Sequence, residues 1–243
     1  MEDMVDSETF VLSLGGSIIA PDPDKSNFKD TKGIVDVEFL KKFKAFILEY
    51  VEKGKRFVII TGGGNSCRRY QKGLRDVYPE VNSEGVDWLG LWVTRVNAQL
   101  VCHMFGGAAE LITDFNPSLP ITSKASIIVG AGYAPGHSTD TDAVLIAKNI
   151  GAKHIVNLSN IDYVYDKDPS EFSDAKKIEN ISWDDFIDIL PKDWKPGLNS
   201  PFDPIAAREA RDLGIGVAMI GGRKLEELGK LISGKDFEGT RIE

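Results

Sequence analysis

The sequence predicts an α/β fold, a three-layer αβα sandwich with a mostly parallel central sheet, and three observations carry that reading. Short apolar strands alternate with helical stretches along the chain. Several strands run straight into glycine-rich or hydroxyl-rich turns, at Gly15-Gly16-Ser17, at Gly62-Gly63-Gly64-Asn65 and from Gly130 to Thr139. No Pro/Gly/Ser-rich linker, repeat or low-complexity tract divides the 243 residues, so one core is expected.

The strands are expected at residues 10–14, 57–61, 126–129, 154–158 and 216–220. Between the first two, Phe39, Leu40, Phe43, Phe46, Ile47 and Tyr50 recur at helical spacing, predicting a packing helix over 37–53 that Gly54 stops. Residues 88–105 also read as a helix, apolar on more than one side through Trp92, Val93, Val96 and Leu100, which predicts burial or, slightly favoured, a subunit contact. Polar residues 22–32 and 191–200 read as exposed loops beside a site.

Composition narrows the function. With 37 acidic against 29 basic residues the net charge is -8, which argues against a general binder of nucleic-acid backbones. Cys67 and Cys102 lack metal-ligand or CxxC spacing, and the first ten residues are acidic where a signal peptide is basic and then apolar. A cytoplasmic, reducing location without a membrane span is expected.

The chemistry concentrates at strand ends, where open α/β sheets bind ligands. In residues 128–147 an apolar strand enters a glycine-rich turn, then Ser138, Thr139 and Asp140, then a small-residue helix. Glycines admit close backbone approach, hydroxyls and free amides offer donors, and a helix start favours an anion. A carboxylate such as Asp140 at that place is ordinarily a cap, and Asp142 reads as a cap or a solvent-facing residue. No turn fits GxxxxGK[ST] or GxGxxG, so neither a P-loop nor a dinucleotide fingerprint is present. After the second glycine turn, Arg68 and Arg69 fall in the first turn of a helix, against the dipole. A bound anion removes that conflict, and the planar fork of Arg68 makes it a candidate phosphate clamp.

The order SLGGS, TGGGNSCR, VDWLGLWVTRVNA, PGHSTDTDA, LSNIDYVYDKDP and EGTRIE resembles the amino acid kinase superfamily, and within it the archaeal-type UMP kinases. The resemblance covers nearly the whole chain and implies direct phosphoryl transfer from ATP, with Mg2+, to UMP, without a phosphoenzyme. It implies a single domain over 1–243, roughly 1–150 for the acceptor and 151–243 for the nucleotide, and a homo-oligomer, most simply a hexamer built from dimers. Gly15, Gly16 and Ser17 then face the transferring phosphates, and Gly63, Gly64 and Arg68 hold the UMP phosphate. Asp87 matches the acidic residue that contacts the UMP nucleoside, and Thr139 with Asp140 matches the pair at the transfer centre. Ser159, Asp162, Tyr165 and Asp168 match residues on the ATP side. The segment from Phe202 to Ala207 resembles a helix start of structural purpose.

Two positions depart from the pattern. Ser13 stands where many relatives carry a lysine that neutralises the transferring phosphoryl group, with Lys25, Lys124 and Lys167 as candidate substitutes. Tyr163 stands where glycine is usual, which implies strain if the backbone there needs positive φ. His137, beside the phosphate turn, is read as a neighbouring contact. The same fold also serves kinases of acylated amino acids or isopentenyl phosphate, and noncatalytic storage proteins that hold molybdenum oxyanions. The helix GGGNSCRRY lacks the histidine that isopentenyl phosphate kinases carry there.

Overall fold

The computed structural model describes residues 9–22, 33–112, 116–167, 169, 171–192 and 200–243. In chain order the elements are β1 (Thr9–Leu14), α1 (Gly16–Ile19), α2 (Val37–Glu52), β2 (Arg56–Thr61), α3 (Gly64–Val77), α4 (Ser83–Met104), β3 (Ala109–Leu111), β4 (Ile127–Gly130) and α5 (Thr139–Ile150). There follow β5 (His154–Ser159), β6 (Val164–Tyr165), β7 (Lys177–Ile178), β8 (Asn180–Ile181), α6 (Trp183–Ile189), α7 (Pro204–Leu213), β9 (Gly216–Gly221), α8 (Leu225–Ile232) and β10 (Thr240–Ile242).

Eight strands form one sheet in the order β3-β4-β2-β1-β5-β9-β10-β8, parallel except where β10 runs against β9. Chain order reverses around β1, which pairs Leu12 with Ile59 of β2 on one side and with Val156 of β5 on the other. The crevice at the carboxyl ends of β1, β2 and β5 is therefore the switch point at which such sheets bind ligands.

Period-two alternation splits the strand side chains between two cores. Val11, Ile60, Ile128, Ile155 and Val217 face Val144 of α5, Phe186 of α6 and Ala206 of α7. Leu12, Leu14, Ile59, Val129 and Val156 face Phe43 and Ile47 of α2, Val101 of α4 and Leu228 of α8. Helices thus cover both faces, as the expected sandwich requires.

The helix over 37–53 ends where glycine permits it: Gly54 has φ +81°, and Lys55 N–H donates to Tyr50 O at 3.0 Å. Helix α4 begins five residues before Trp88, the expected start. Its cap is Asn82, whose side chain accepts from Gly85 N–H at 2.8 Å, a signal that precedes the apolar periodicity. The two- and three-residue strands β3, β6, β7, β8 and β10 were not foreseen, since so short a segment shows no period. Thr240 of β10 ties three of these pieces together, accepting from Val164 N–H at 2.8 Å and donating to Ile178 O.

Tyr163 carries no left-handed strain, because every positive φ among the described residues belongs to a glycine. The expected penalty does not arise. The ring is buried instead, with the Lys177 ammonium 4.6 Å from its centroid. Most of both anticipated loops, residues 23–32 with Lys25 and residues 193–199, lies outside the described residues, as does Asp168.

Candidate active site

The ends of β1 and β2 meet backbone to backbone. A Cβ on Gly16 would lie 2.0 Å from Gly64 N and 2.5 Å from Gly62 C, so no other residue fits there without moving the turns apart. Gly64 has φ +68°, and a Cβ on it would lie 2.1 Å from Gly16 O. The turns are also pinned to the sheet: Gly15 N–H donates to Leu158 O at 2.9 Å, and Gly62 N–H donates to Leu14 O at 3.0 Å. Glycine at these positions therefore builds the crevice as well as admitting a ligand.

Around them lies a cleft of about 270 Å³. Gly15, Gly16, Ser17, Gly63, Gly64, Arg68, Asp87, Thr139, Asp140 and Ser159 all line it, so the structure brings together most of the residues singled out in the sequence. Asp162 and Tyr165 are not among its lining residues. Asp162 instead pairs with Lys224 at 2.9 Å, and Tyr165 pairs with Lys177 in the β6–β7 hairpin.

Helices α3 and α5 both start at this cleft, and their free N-terminal amides make it suited to anions. Ser138 caps α5, its hydroxyl accepting from Thr141 N–H at 3.1 Å, so Asp140 is free of capping duty. Arg68 lies at the edge of the first turn of α3, exposed at the rim, and donates to Ser17 Oγ at 3.3 Å. Its guanidinium thus links the two glycine turns and keeps donors for a ligand.

Asp140 is the hub of the floor. Its Oδ1 accepts from Ser13 Oγ at 3.1 Å and from Asn157 Nδ2 at 3.4 Å, and its Oδ2 accepts from Asp203 N–H at 3.2 Å. Desolvation and the neighbouring Asp203 carboxylate push its pKa up to about 7, outweighing these hydrogen bonds. Asp203 caps α7 through Oδ1, which accepts from Ile205 and Ala206 N–H, while its buried Oδ2 has no partner among the described residues. Ser13 thus replaces a cation with a hydroxyl donor. Lys124 and Lys167 are not lining residues of the cleft, and Lys167 pairs with Asp174 at 2.6 Å.

The third turn is held by two carboxylates. Asp87 is 8% exposed, and its Oδ2 accepts from Gly136 N–H at 2.6 Å. Burial pushes its carboxyl up, against the Gly136 hydrogen bond and the nearby His137. Asp142, expected at the surface or in a cap, is 0% exposed. Its Oδ2 accepts from Tyr133 N–H at 2.9 Å and its Oδ1 lies 3.4 Å from His137 Nδ1, because the small residues around it on α5 bring that face against the turn.

Sequence reasoning missed the polar residues of α4 that hold the turns. Asn97 Nδ2 donates to Gly62 O at 2.7 Å, and Thr94 Oγ1 accepts from Gly132 N–H at 3.0 Å. Buried Gln71, Asn157 and Asp203 also line the cleft. The available signal was polarity at inward positions of otherwise apolar elements.

The model of the amino acid kinase family matches residues 8–220. Uridylate kinase of Thermoplasma acidophilum is 32% identical over 246 aligned positions, covering 98% of this chain and 97% of that protein. Uridylate kinase of Pyrococcus abyssi is 32% identical over 236 positions, covering 96% and 98%. Among solved structures, uridylate kinase from Archaeoglobus fulgidus superposes with a TM-score of 0.76 at 28% identity, covering 97% of this chain and all of that one.

Proposed function

The chain belongs to the amino acid kinase family, and from that premise we propose that it is a UMP kinase, transferring the γ-phosphoryl group of Mg-ATP to UMP to give UDP and ADP. One observation carries the reading: acceptor-type groups (Arg68, Asp87) and transfer-type groups (Thr139, Asp140) share a single cleft with the glycine turns of β1 and β2.

Bringing two phosphate groups together calls for alignment and charge neutralisation, with no side-chain nucleophile. In this reading Gly63, Gly64 and Arg68 hold the UMP phosphate, and Asp87 accepts hydrogen bonds from the ribose hydroxyls. Gly15, Gly16, Ser17 and Thr139 face the transferring phosphoryl group. Asp140 is a positioning residue that fixes Ser13, Asn157 and the start of α7 around it. Ser159 borders the ATP side, with Asp162, Tyr165 and Asp168 assigned to the nucleotide loop on resemblance.

Among the described residues no group of three or more His, Cys, Asp or Glu side chains could hold a metal ion unaided. The unpartnered Asp203 Oδ2 is a hard oxygen donor, which fits a Mg2+ ion liganded mainly by ATP phosphates and water, with Asp203 holding it. Such an ion neutralises charge developing on the phosphoryl oxygens.

The same reading makes the protein cytoplasmic and a source of UDP for pyrimidine nucleotide synthesis. No described helix is long and apolar enough to cross a membrane. It also makes the chain a homo-oligomer, most simply a hexamer. Trp88, Trp92, Val96 and Leu100, four residues apart on α4, form an exposed stripe that suits an isologous contact. Light scattering should give a mass several times that of one chain, and Trp92→Glu with Val96→Glu should lower it; a monomeric unsubstituted protein would remove the oligomer from the account.

The activity itself is tested by coupled ADP release with Mg-ATP and a panel of UMP, CMP, AMP, N-acetylglutamate and isopentenyl phosphate. UMP should give the highest kcat/KM. Turnover only with another acceptor would keep the fold and reassign the cleft.

A further inference from the structure

We propose that Gln71 is a positioning residue of the acceptor subsite: by locking α3 to α4 beside Gly90 it fixes the separation of Arg68 from Asp87, and so the phosphate-to-ribose span that the cleft accepts. The inference deepens the UMP kinase reading and rests on it.

Helix α3 carries the phosphate clamp, yet it buries no apolar side chain fully. Its two buried residues, Asn65 and Gln71, are both polar. Asn65 N–H donates to Ala20 O at 3.0 Å, which ties the first turn of α3 to the end of α1. Gln71 makes the tie further along: it is 3% exposed, and its Nε2 donates to Val86 O of α4 at 3.2 Å. A buried amide without a partner costs free energy, so this bond selects one placement of α3 on α4.

The partner fixes which end of the amide faces α4. A carbonyl oxygen only accepts, so the nitrogen must point at Val86. Gly90, one turn further along α4, makes room for it. A Cβ at position 90 would lie 2.6 Å from Gln71 Nε2 and 3.3 Å from Cys67 Sγ, so the two helices approach this closely only because that position has no side chain. Gln71, Gly90 and Cys67 all line the cleft, which puts the lock in the wall of the site.

The lock stands between the two acceptor groups. Arg68 precedes Gln71 by three residues, a neighbouring position on α3, and Asp87 directly follows Val86. Asp87 Oδ2 is committed to Gly136 N–H, which leaves Oδ1 for a ribose hydroxyl, while Arg68 reaches toward the first glycine turn through Ser17. The path from guanidinium to carboxylate thus crosses the Gln71–Val86 hydrogen bond. In a nucleoside monophosphate the phosphate and the ribose hydroxyls are joined covalently, so a misplacement of about 1 Å between α3 and α4 loses one contact when the other is made. The loss falls on acceptor binding, because Asp140 and the ATP side are untouched.

The test is the KM for UMP, for 2′-deoxy-UMP and for Mg-ATP in the unsubstituted protein, in Gln71→Met, which keeps the length of the side chain without its donor, and in Gly90→Ala. Gln71→Met should raise the KM for UMP about tenfold, the scale of one hydrogen bond, with kcat and the KM for Mg-ATP within about twofold. Its preference for UMP over the 2′-deoxy acceptor should shrink, because the carboxylate facing the ribose has moved. Gly90→Ala should give the same pattern without a lower melting temperature: the atom displaced is the tip of a flexible side chain, and alanine favours the helix. A merely structural contact would lower the melting temperature and spare the acceptor KM. The double variant should be no worse than either single one, since both break the same contact. An unchanged KM for UMP in Gly90→Ala, additive effects in the double variant, or equal rises in the KM for UMP and for Mg-ATP overturn the inference while leaving the kinase reading intact; Gly90→Ala decides if Gln71→Met does not fold. Absence of UMP-dependent turnover in the unsubstituted protein overturns the kinase reading, and this inference with it.

Discussion

Asp140→Asn is expected to lower kcat about a hundredfold and, at pH 8, to raise the melting temperature. The kinetic loss follows from position. Asp140 organises the Ser13 hydroxyl, the Asn157 amide and the Asp203 backbone at the junction of β1, β5, α5 and α7. An asparagine cannot accept from all three with both of its side-chain heteroatoms, and misplacement by about 1 Å costs on the order of 100-fold in rate. The KM for UMP should stay within about threefold, because Arg68 and the second glycine turn are untouched.

The stability gain follows from the pKa of about 7. The folded value lies above the unfolded one, near 3.9, so between the two the folded state binds more protons and stability falls as pH rises. Above pH 7 the carboxylate is ionised in both states, and the full cost is present. Asparagine removes it. Because Asp140 is only partly buried by surface area, the gain should be about 1–2 kcal/mol, or roughly 3–6 °C in a chain of this size. Calorimetry at pH 5 and pH 8 checks the sign: the variant should gain little at the lower pH and most at the higher. Equal gains at both would break the link between this carboxylate and the cost.

Arg68→Ala should raise the KM for UMP about 10- to 100-fold and leave kcat within a fewfold. The guanidinium is exposed at the rim and bound to Ser17 Oγ alone among the hydrogen bonds described, so little folding energy depends on it. Its loss removes the permanent cation of the acceptor side, and a charge-assisted hydrogen bond to phosphate contributes about 1.5–3 kcal/mol. Lysine should restore only part of the affinity, since a point charge cannot present two parallel donors. A fall in kcat matching the rise in KM would place Arg68 at the transferring phosphoryl group instead.

The parts of this molecule legible in the sequence are those with a repeating or chemically singular signal. The strands that became β1, β2, β4, β5 and β9 each place a run of apolar residues before a turn, and the helix over 37–53 has clear periodicity and a glycine stop. The glycine turns announced the crevice, because backbone approaches as close as that of Gly16 to Gly64 admit no side chain. What escaped was set by tertiary neighbours. Asp142 reads like its neighbour Asp140 on a helix start, and only the packing of α5 against the turn after β4 buries it beside His137. Asn97 and Thr94 read as ordinary polar positions in a helix, yet they bond the backbone of the turns. Tyr163 gave a warning of strain that the backbone does not bear, since its φ is negative and its ring fills a buried position.

The central claim is that this cleft passes a phosphoryl group from ATP to the phosphate of UMP. Incubating the protein with Mg2+, UMP and ATP labelled at the γ-phosphate, and separating the nucleotides, tests it directly. The account predicts label in the β-phosphate of UDP, formed in step with ADP and abolished when UMP is left out. Label released as free phosphate, or ADP formed at the same rate without UMP, would contradict it.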